Sequence, residues 1–202
     1  MHVCATNPVT RRNEPLKPLT AVAHDAVAAA LFDGAKAIDA TMGNGNDTVF
    51  LAQQVGPKGS VIAFDIQSAA VATTACRIEQ AGVAARVELR LQGHQEMLAA
   101  VPTSWLGAVN AVMFNLGYLP GGDKTCVTQA TTTCQALGNA IELLATSGRL
   151  SILLYRHHAG ADPEVSAVMQ WLGDLPDAYH VDSYETRGPA LHLVTRVGRF
   201  EP

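Results

Sequence analysis

Two stretches of this chain combine residue types and spacings that suit chemistry. The first, "AIDATMGNGNDT" over 37–48, closes an apolar run on Asp39, turns through Gly43 and Gly45, and resumes with Asn46 and Asp47. Glycine at such a turn lets a ligand approach the backbone where a Cβ would block it, and Asn46 and Asp47 bring the capping chemistry of a helix start. The phosphate-binding spacing G-x-G-x-x-G is broken, because Thr48 stands three positions after Gly45, so the loop is a poor cradle for pyrophosphate. Asp39 and Asp47 would repel a diphosphate and suit a ligand carrying an ammonium and a sulfonium. S-adenosyl-L-methionine, with S-adenosyl-L-homocysteine as its product, is such a ligand. The competing reading leaves Asp47 to cap a helix and Asp39 to end a strand.

Asp65 ends the next apolar run, "VIAFDI", 26 residues after Asp39. A carboxylate there can accept both ribose hydroxyls of a bound nucleoside, whichever nucleoside it is. Thr41, Asn44 and Gln67 flank these acidic positions and complete the candidate cofactor contacts on the two loops. Further on, "LQGHQEM" at 91–97 offers Gln92, Gly93 and His94 along the base, although His94 could equally be a satisfied surface histidine.

The second stretch is "MFNLGYLPGG" at 113–122, where an apolar strand empties into Asn115, Leu116, Gly117 and Tyr118. The form Asn-x-x-aromatic is similar to the Asn/Asp-Pro-Pro-Tyr/Phe loop of methyltransferases that modify amino groups. An amine must point its lone pair at the methyl carbon, in line with the departing sulfur, while its N–H groups are held by acceptors such as the Asn115 side-chain oxygen and the Leu116 carbonyl. Tyr118 can stack on a planar base or attract positive charge developing on nitrogen. Such chemistry requires no metal and no covalent nucleophile. Leu116-Gly117 replaces Pro-Pro, and a plain Gly/Pro-rich turn is the alternative.

These residues must be held by strands and helices, and the pattern supplies them. Apolar runs alternate with helical-period segments, as in β-α units that build a mostly parallel sheet. The pattern predicts helices at 20–33, 47–55, 68–82, 129–146 and 162–173, and strands at 35–40, 60–66, 85–91, 108–114 and 149–155. Two last strands, 178–184 and 190–197, are joined by "ETRGPA", too short for a crossover helix, and should pair antiparallel. The expected fold is therefore α/β, a Rossmann-like class I methyltransferase sandwich: a seven-stranded, mostly parallel sheet with a C-terminal antiparallel hairpin and helices on both faces.

The chain has 202 residues, 48% of them hydrophobic and 16% charged. That size and balance give one folded core rather than disorder, with residues 1–18 expected as a flexible tail and 19–202 as a single domain. No apolar run approaches a membrane span or a secretory signal, so a cytoplasmic protein with no membrane partner is expected. Cys4, Cys76, Cys126 and Cys134 form no C-x-x-C pair; they read as reduced thiols, three packed and one in the tail. A net charge of −4 excludes nonspecific coating of nucleic acid and still permits a local basic contact surface. Lys124, Arg156, His157 and Arg187 fall on loops at the strand-end face, where they could meet phosphates. His24 in the first helix could reach the same mouth but reads more simply as structural.

Taken together, "DATMGNGNDTVFLA" (39–52), "FDIQ" (64–67), "MFNLGYLPGGDK" (113–124) with "TTT" (131–133), and "LYRHHAGADPE" (154–164) resemble the YtqB/MnmM family, long labelled rRNA methylases. The resemblance runs from about residue 20 to the end. It implies a class I S-adenosylmethionine-dependent enzyme, tRNA anticodon-arm recognition, and methylation of the 5-aminomethyl group of a wobble uridine to 5-methylaminomethyl-2-thiouridine. A homodimer is compatible with this. The family's Tyr-x-Gly-His is here Tyr155-Arg156-His157-His158, so that His158 matches the family histidine and Glu164 a later acidic residue. His158 or Tyr118 could help the amine lose its proton. A second departure is "YETRGPALHL", where family members carry an Asn-rich loop. Another RNA, a small-molecule amine, or a nucleotide-binding module without catalysis are the alternative readings.

Overall fold

A computed structural model describes residues 10–12, 17–119, 121, 127–156 and 161–198. Strands β1 (Thr10–Arg12), β2 (Lys36–Asp39), β3 (Ser60–Asp65), β4 (Val87–Leu91), β5 (Val109–Leu116), β6 (Leu144–Leu154), β7 (Tyr179–Glu185) and β8 (Ala190–Arg196) form one sheet. Its order is β1-β7-β8-β6-β5-β2-β3-β4. β8 is antiparallel to both β6 and β7, while the other pairs are parallel. The mostly parallel sandwich with a terminal hairpin is thus present, and β8 inserts between its hairpin partner and the body of the sheet. The sheet has one strand more than the seven expected: Thr10–Arg12 adds a short parallel edge to β7. Three residues are too few to carry a readable alternation, which is why the sequence pattern passes over them.

Helices α1 (Leu19–Ala28), α2 (Asn46–Gln54) and α3 (Ser68–Gln80) and helices α4 (Met97–Ala100), α5 (Ala130–Leu143) and α6 (Ala161–Gly173) supply the outer layers. Successive strand residues point to opposite faces, and the core divides accordingly. Ile38, Phe64, Val112, Phe114 and Ile152 pack with Leu137 and Leu143 of α5 and Val168 and Leu172 of α6. On the other face Ala37, Val61, Ala111, Met113 and Leu193 meet Ala23 and Val27 of α1, Leu51 of α2 and Ile78 of α3. Strands buried on both faces explain the near-continuous apolar runs of the sequence.

Two boundaries differ from expectation: α1 ends at Ala28 rather than at 33, and the strand after α5 starts early. α5 ends at Leu143 and β6 starts at Leu144, five residues before the predicted strand at 149. Between Val109 and Ala111 the register of β5 jumps, from Leu144 to Arg149 as partner, and Ser147 in the bulged segment has φ +65°. The irregularity places Gly148 inside the strand, so this glycine, of the residue type that commonly stops a helix, serves as a bulge residue. Cys76, expected to be packed, is exposed on α3. Among the described residues no helix is long and apolar enough to cross a membrane.

Candidate active site

The order of strands reverses between β2 and β5, and in sheets of this kind ligands bind beyond the carboxyl ends at that point. Asp39 at the end of β2 is in register with Met113 of β5 on one side and Ala63 of β3 on the other. The loop after Asp39 stays on those strand ends: the Ala40 N–H donates to the Met113 carbonyl at 2.9 Å, and the Met42 N–H to the Phe64 carbonyl at 2.9 Å. Gly43 and Gly45 have φ of +48° and +80°, left-handed conformations in which a side chain is strained. A Cβ on Gly45 would also lie 3.0 Å from the Thr74 Cα of α3. Gly45 therefore lets α2 and α3 pack closely. It is also the N-cap of α2, and no side chain caps that helix, so the expected capping by Asn46 and Asp47 is replaced by other duties for both.

Those duties knit the loops together. Asp65 accepts the Gly43 N–H at 3.0 Å on Oδ2 and the Gln67 N–H at 2.9 Å on Oδ1. Asp39 is fully buried, accepting the Thr48 hydroxyl at 2.6 Å and the Thr41 N–H at 3.2 Å. Burial, and next the charge of Asp47, raise its carboxyl to about 7. Thr41 Oγ1 accepts the Asn115 backbone N–H at 2.7 Å. Asp47 sits between two partners: Asn115 Nδ2 donates to its Oδ2 at 2.5 Å, and His24 Nε2 lies 2.7 Å from its Oδ1. Asn46 Oδ1 takes a hydrogen bond from Arg77 at 2.6 Å.

These elements enclose a cavity of about 510 Å³, lined on one side by Thr41, Gly43, Asn44, Asn46, Asp47, Asp65, Gln67, Gln92, Gly93 and His94 and on the other by Asn115, Gly117, Tyr118 and Tyr155. Its size is that of a small-molecule site. Gln92 is held by its N–H on the Asp65 carbonyl at 2.9 Å and by its side chain on Glu96 at 2.7 Å. Ile66, 62% exposed, adds an apolar wall next to Asp65. His94 is buried edge-on to Phe114, with ring centroids 5.7 Å apart, and burial pushes its pKa down. Its Nε2 has no partner among the described residues, an arrangement that suits a ligand atom or water.

The loop beyond β5 is fastened from two sides. The Thr128 N–H donates to the Gly117 carbonyl at 3.0 Å, and the Tyr155 N–H to the Leu116 carbonyl at 3.1 Å. Glu164 is buried and accepts the hydroxyls of Thr128 at 2.7 Å and Thr133 at 2.6 Å, so α6 anchors the start of α5. Tyr118 and Tyr155 remain 39% and 43% exposed at the mouth; burial, then the charge of Asp47, raises the Tyr155 hydroxyl pKa.

Of the sequence-predicted residues, Asp39, Gly45 and Leu116 support the cavity from beneath rather than lining it. Arg156 donates to the carbonyls of Thr186 at 2.8 Å and Gly188 at 3.2 Å, which commits it to the β7–β8 turn. Arg187 is exposed on that same turn. Lys124, His157 and His158 lie outside the described residues. Sequence reasoning missed Thr20 and gave His24 a structural part, yet both line the cavity. Their four-residue spacing on α1 puts them on one helix face, a signal present in "TAVAH". Gln95, Leu119 and Thr132 line it too; they lie within motifs read from the sequence but were not singled out there, while Gln129, also lining it, lies outside every motif.

Strand order, terminal hairpin, the acidic glycine loop after β2 and the Asn-led loop after β5 define a class I methyltransferase domain. The family model described as "Putative rRNA methylase" matches residues 61–188; the chain belongs to this family. It is 37% identical, over 79% of its length, to a protein of Arabidopsis thaliana named tRNA (mnm(5)s(2)U34)-methyltransferase, chloroplastic, of which it spans 61%. Two crystal structures are similar over 91% of this chain and 100% of theirs. A "putative rRNA-methylase" of Clostridium thermocellum has a TM-score of 0.86 at 35% identity. SMU.1697c of Streptococcus mutans, a "putative methyltransferase" solved in complex with SAH, has a TM-score of 0.80 at 34% identity.

Proposed function

We propose that the protein transfers a methyl group from S-adenosylmethionine to the amine of 5-aminomethyl-2-thiouridine at the wobble position of tRNA. The observation that carries this reading is the direct link between the two halves of the cavity: Asn115, after β5, is hydrogen-bonded to Asp47, after the glycine loop, at 2.5 Å.

The residues present fit the cofactor. Asp65, fixed by two backbone N–H donors, keeps acceptor capacity for a ribose, and the unpartnered His94 Nε2 beside Ile66 suits a heteroaromatic base. Asp47 and Asp39 favour a cationic amino-acid end. When bound, S-adenosylmethionine supplies an electrophilic methyl on sulfonium. The chain's own part is then positioning. Asn115 holds an amine N–H, and its backbone N–H is fixed by Thr41. Tyr118 and Tyr155 flank the mouth, where a base can stack on their exposed rings. Arg187 faces solvent on the β7–β8 turn and, with Lys124 and His157 by sequence, would meet phosphates of the anticodon arm. His158 or Tyr118 would take up the amine's proton, with water as the alternative acceptor. The plant relative's printed name supports the choice of acceptor.

Nucleoside mass spectrometry of tRNA from a strain lacking the gene tests the reading. Accumulation of 5-aminomethyl-2-thiouridine is expected; an unchanged wobble profile, in a strain with no second such enzyme, overturns it.

A further inference from the structure

His24 is the residue least explained by the site as described so far. It belongs to α1, outside every loop that holds cofactor or acceptor, yet its Nε2 approaches Asp47 Oδ1 at 2.7 Å. Its ring lies flat on Phe50 of α2, with centroids 3.8 Å apart and planes within 2°. The stack fixes the ring plane, and the carboxylate fixes which edge faces it. An ionised carboxylate can only accept, so Nε2 carries the hydrogen of this contact.

The other oxygen of Asp47 accepts Asn115 Nδ2 at 2.5 Å. That contact decides the sense of the Asn115 amide. With the NH2 end turned to a carboxylate, the amide presents its Oδ1 as the remaining polar end, and Oδ1 has no partner among the described residues. Only the oxygen end can accept a hydrogen bond from an amine. If Asp47 swings away, the amide loses the acceptor that holds this sense, and half of its orientations offer the acceptor amine a donor instead.

We propose that His24 is a positioning residue for methyl transfer: through Asp47 it locks the Asn115 amide with its oxygen toward the methyl acceptor. The inference rests on the function proposed above for Asn115. It extends that function to a helix remote from the strand ends and gives Asp47 a duty beyond the cofactor. The simpler view, that His24 and Asp47 only tie α1 to α2, predicts a loss of stability without a change in Asn115.

Two substitutions separate these views. His24→Phe keeps a flat ring over Phe50 and removes the donor; His24→Gln gives up the ring and restores a donor. Three readouts are taken on the full chain: the Asn115 side-chain NH2 resonances by NMR, which need no substrate, single-turnover kinetics, and calorimetric binding of S-adenosylhomocysteine. For His24→Phe we expect shifted Asn115 NH2 resonances, a rate on tRNA bearing 5-aminomethyl-2-thiouridine lower by about 10- to 100-fold, and a much smaller loss of affinity for S-adenosylhomocysteine, because Asp47 also faces the cofactor. His24→Gln should recover most of the rate and the native resonances. Unmoved resonances in His24→Phe, a rate loss matched by weaker cofactor-product binding, or no recovery in His24→Gln would each overturn the proposal. A wild-type protein inactive on that tRNA would overturn the acceptor assignment instead, and the resonances would still decide whether His24 sets the amide.

Discussion

Replacing Asp39 by Asn isolates the electrostatic strain at the heart of the cofactor loop. The carboxyl is fully buried, with the Thr48 hydroxyl and the Thr41 N–H as its donors. An Asn can keep both contacts: its oxygen accepts from Thr41, and its NH2 donates to the Thr48 hydroxyl, which is free to turn. What changes is the charge. Burial and the neighbouring Asp47 raise the Asp39 carboxyl from 3.8 to about 7. The folded state therefore holds this proton more tightly than the unfolded chain does. The stabilisation it brings is complete below the unfolded value and is lost as pH rises through about 7. At about 1.4 kcal/mol per tenfold change, the wild type should lose on the order of 2 to 4 kcal/mol from this site across that window, and Asp39→Asn none. Urea unfolding of both proteins across the window measures the difference. Asp39→Asn should gain on the wild type steadily with pH and plateau in weakly alkaline buffer. Parallel stability profiles would refute the reasoning.

Other expectations follow from the same geometry. Asn115→Ala should bind S-adenosylhomocysteine as the wild type does, by calorimetry, and lose methyl transfer by about 100-fold or more; undiminished turnover would remove Asn115 from the acceptor role. Gly45→Ala must place a side chain at φ +80° and 3.0 Å from Thr74 Cα; it should lower unfolding free energy by about 1–3 kcal/mol, and an unchanged thermal midpoint would contradict the close packing of α2 on α3. His192, buried on β8 with Ser183 at 2.7 Å, is lowered from 6.5 to about 4 by burial. Its contribution to stability is present above 6.5 and is lost as pH falls through about 4; an NMR titration of its ring near 6.5 would contradict this.

The strand ends were the most legible part of this molecule. β2, β3 and β5 are apolar runs that stop on Asp39, Asp65 and the Asn115-Leu116 pair, and a polar residue closing such a run marks the sheet's carboxyl edge whatever the tertiary detail. The hairpin of β7 and β8 was equally readable, because six residues cannot carry a crossover. What escaped depends on packing between distant segments. His24 meets Asp47 from 23 positions away through the lie of α1 against α2, which no spacing rule encodes. Arg156 read as a phosphate contact, but its guanidinium finds the turn carbonyls of Thr186 and Gly188 first. The early start of β6 was hidden by Gly148, whose role as bulge or helix stop is decided by the register with β5.

The most direct test uses purified protein, labelled S-adenosylmethionine and tRNA isolated from cells lacking the gene, with the products digested to nucleosides and resolved by mass spectrometry. The account predicts label in 5-methylaminomethyl-2-thiouridine, matched by loss of 5-aminomethyl-2-thiouridine. Label absent from that nucleoside, or found only in rRNA offered in parallel, would contradict it.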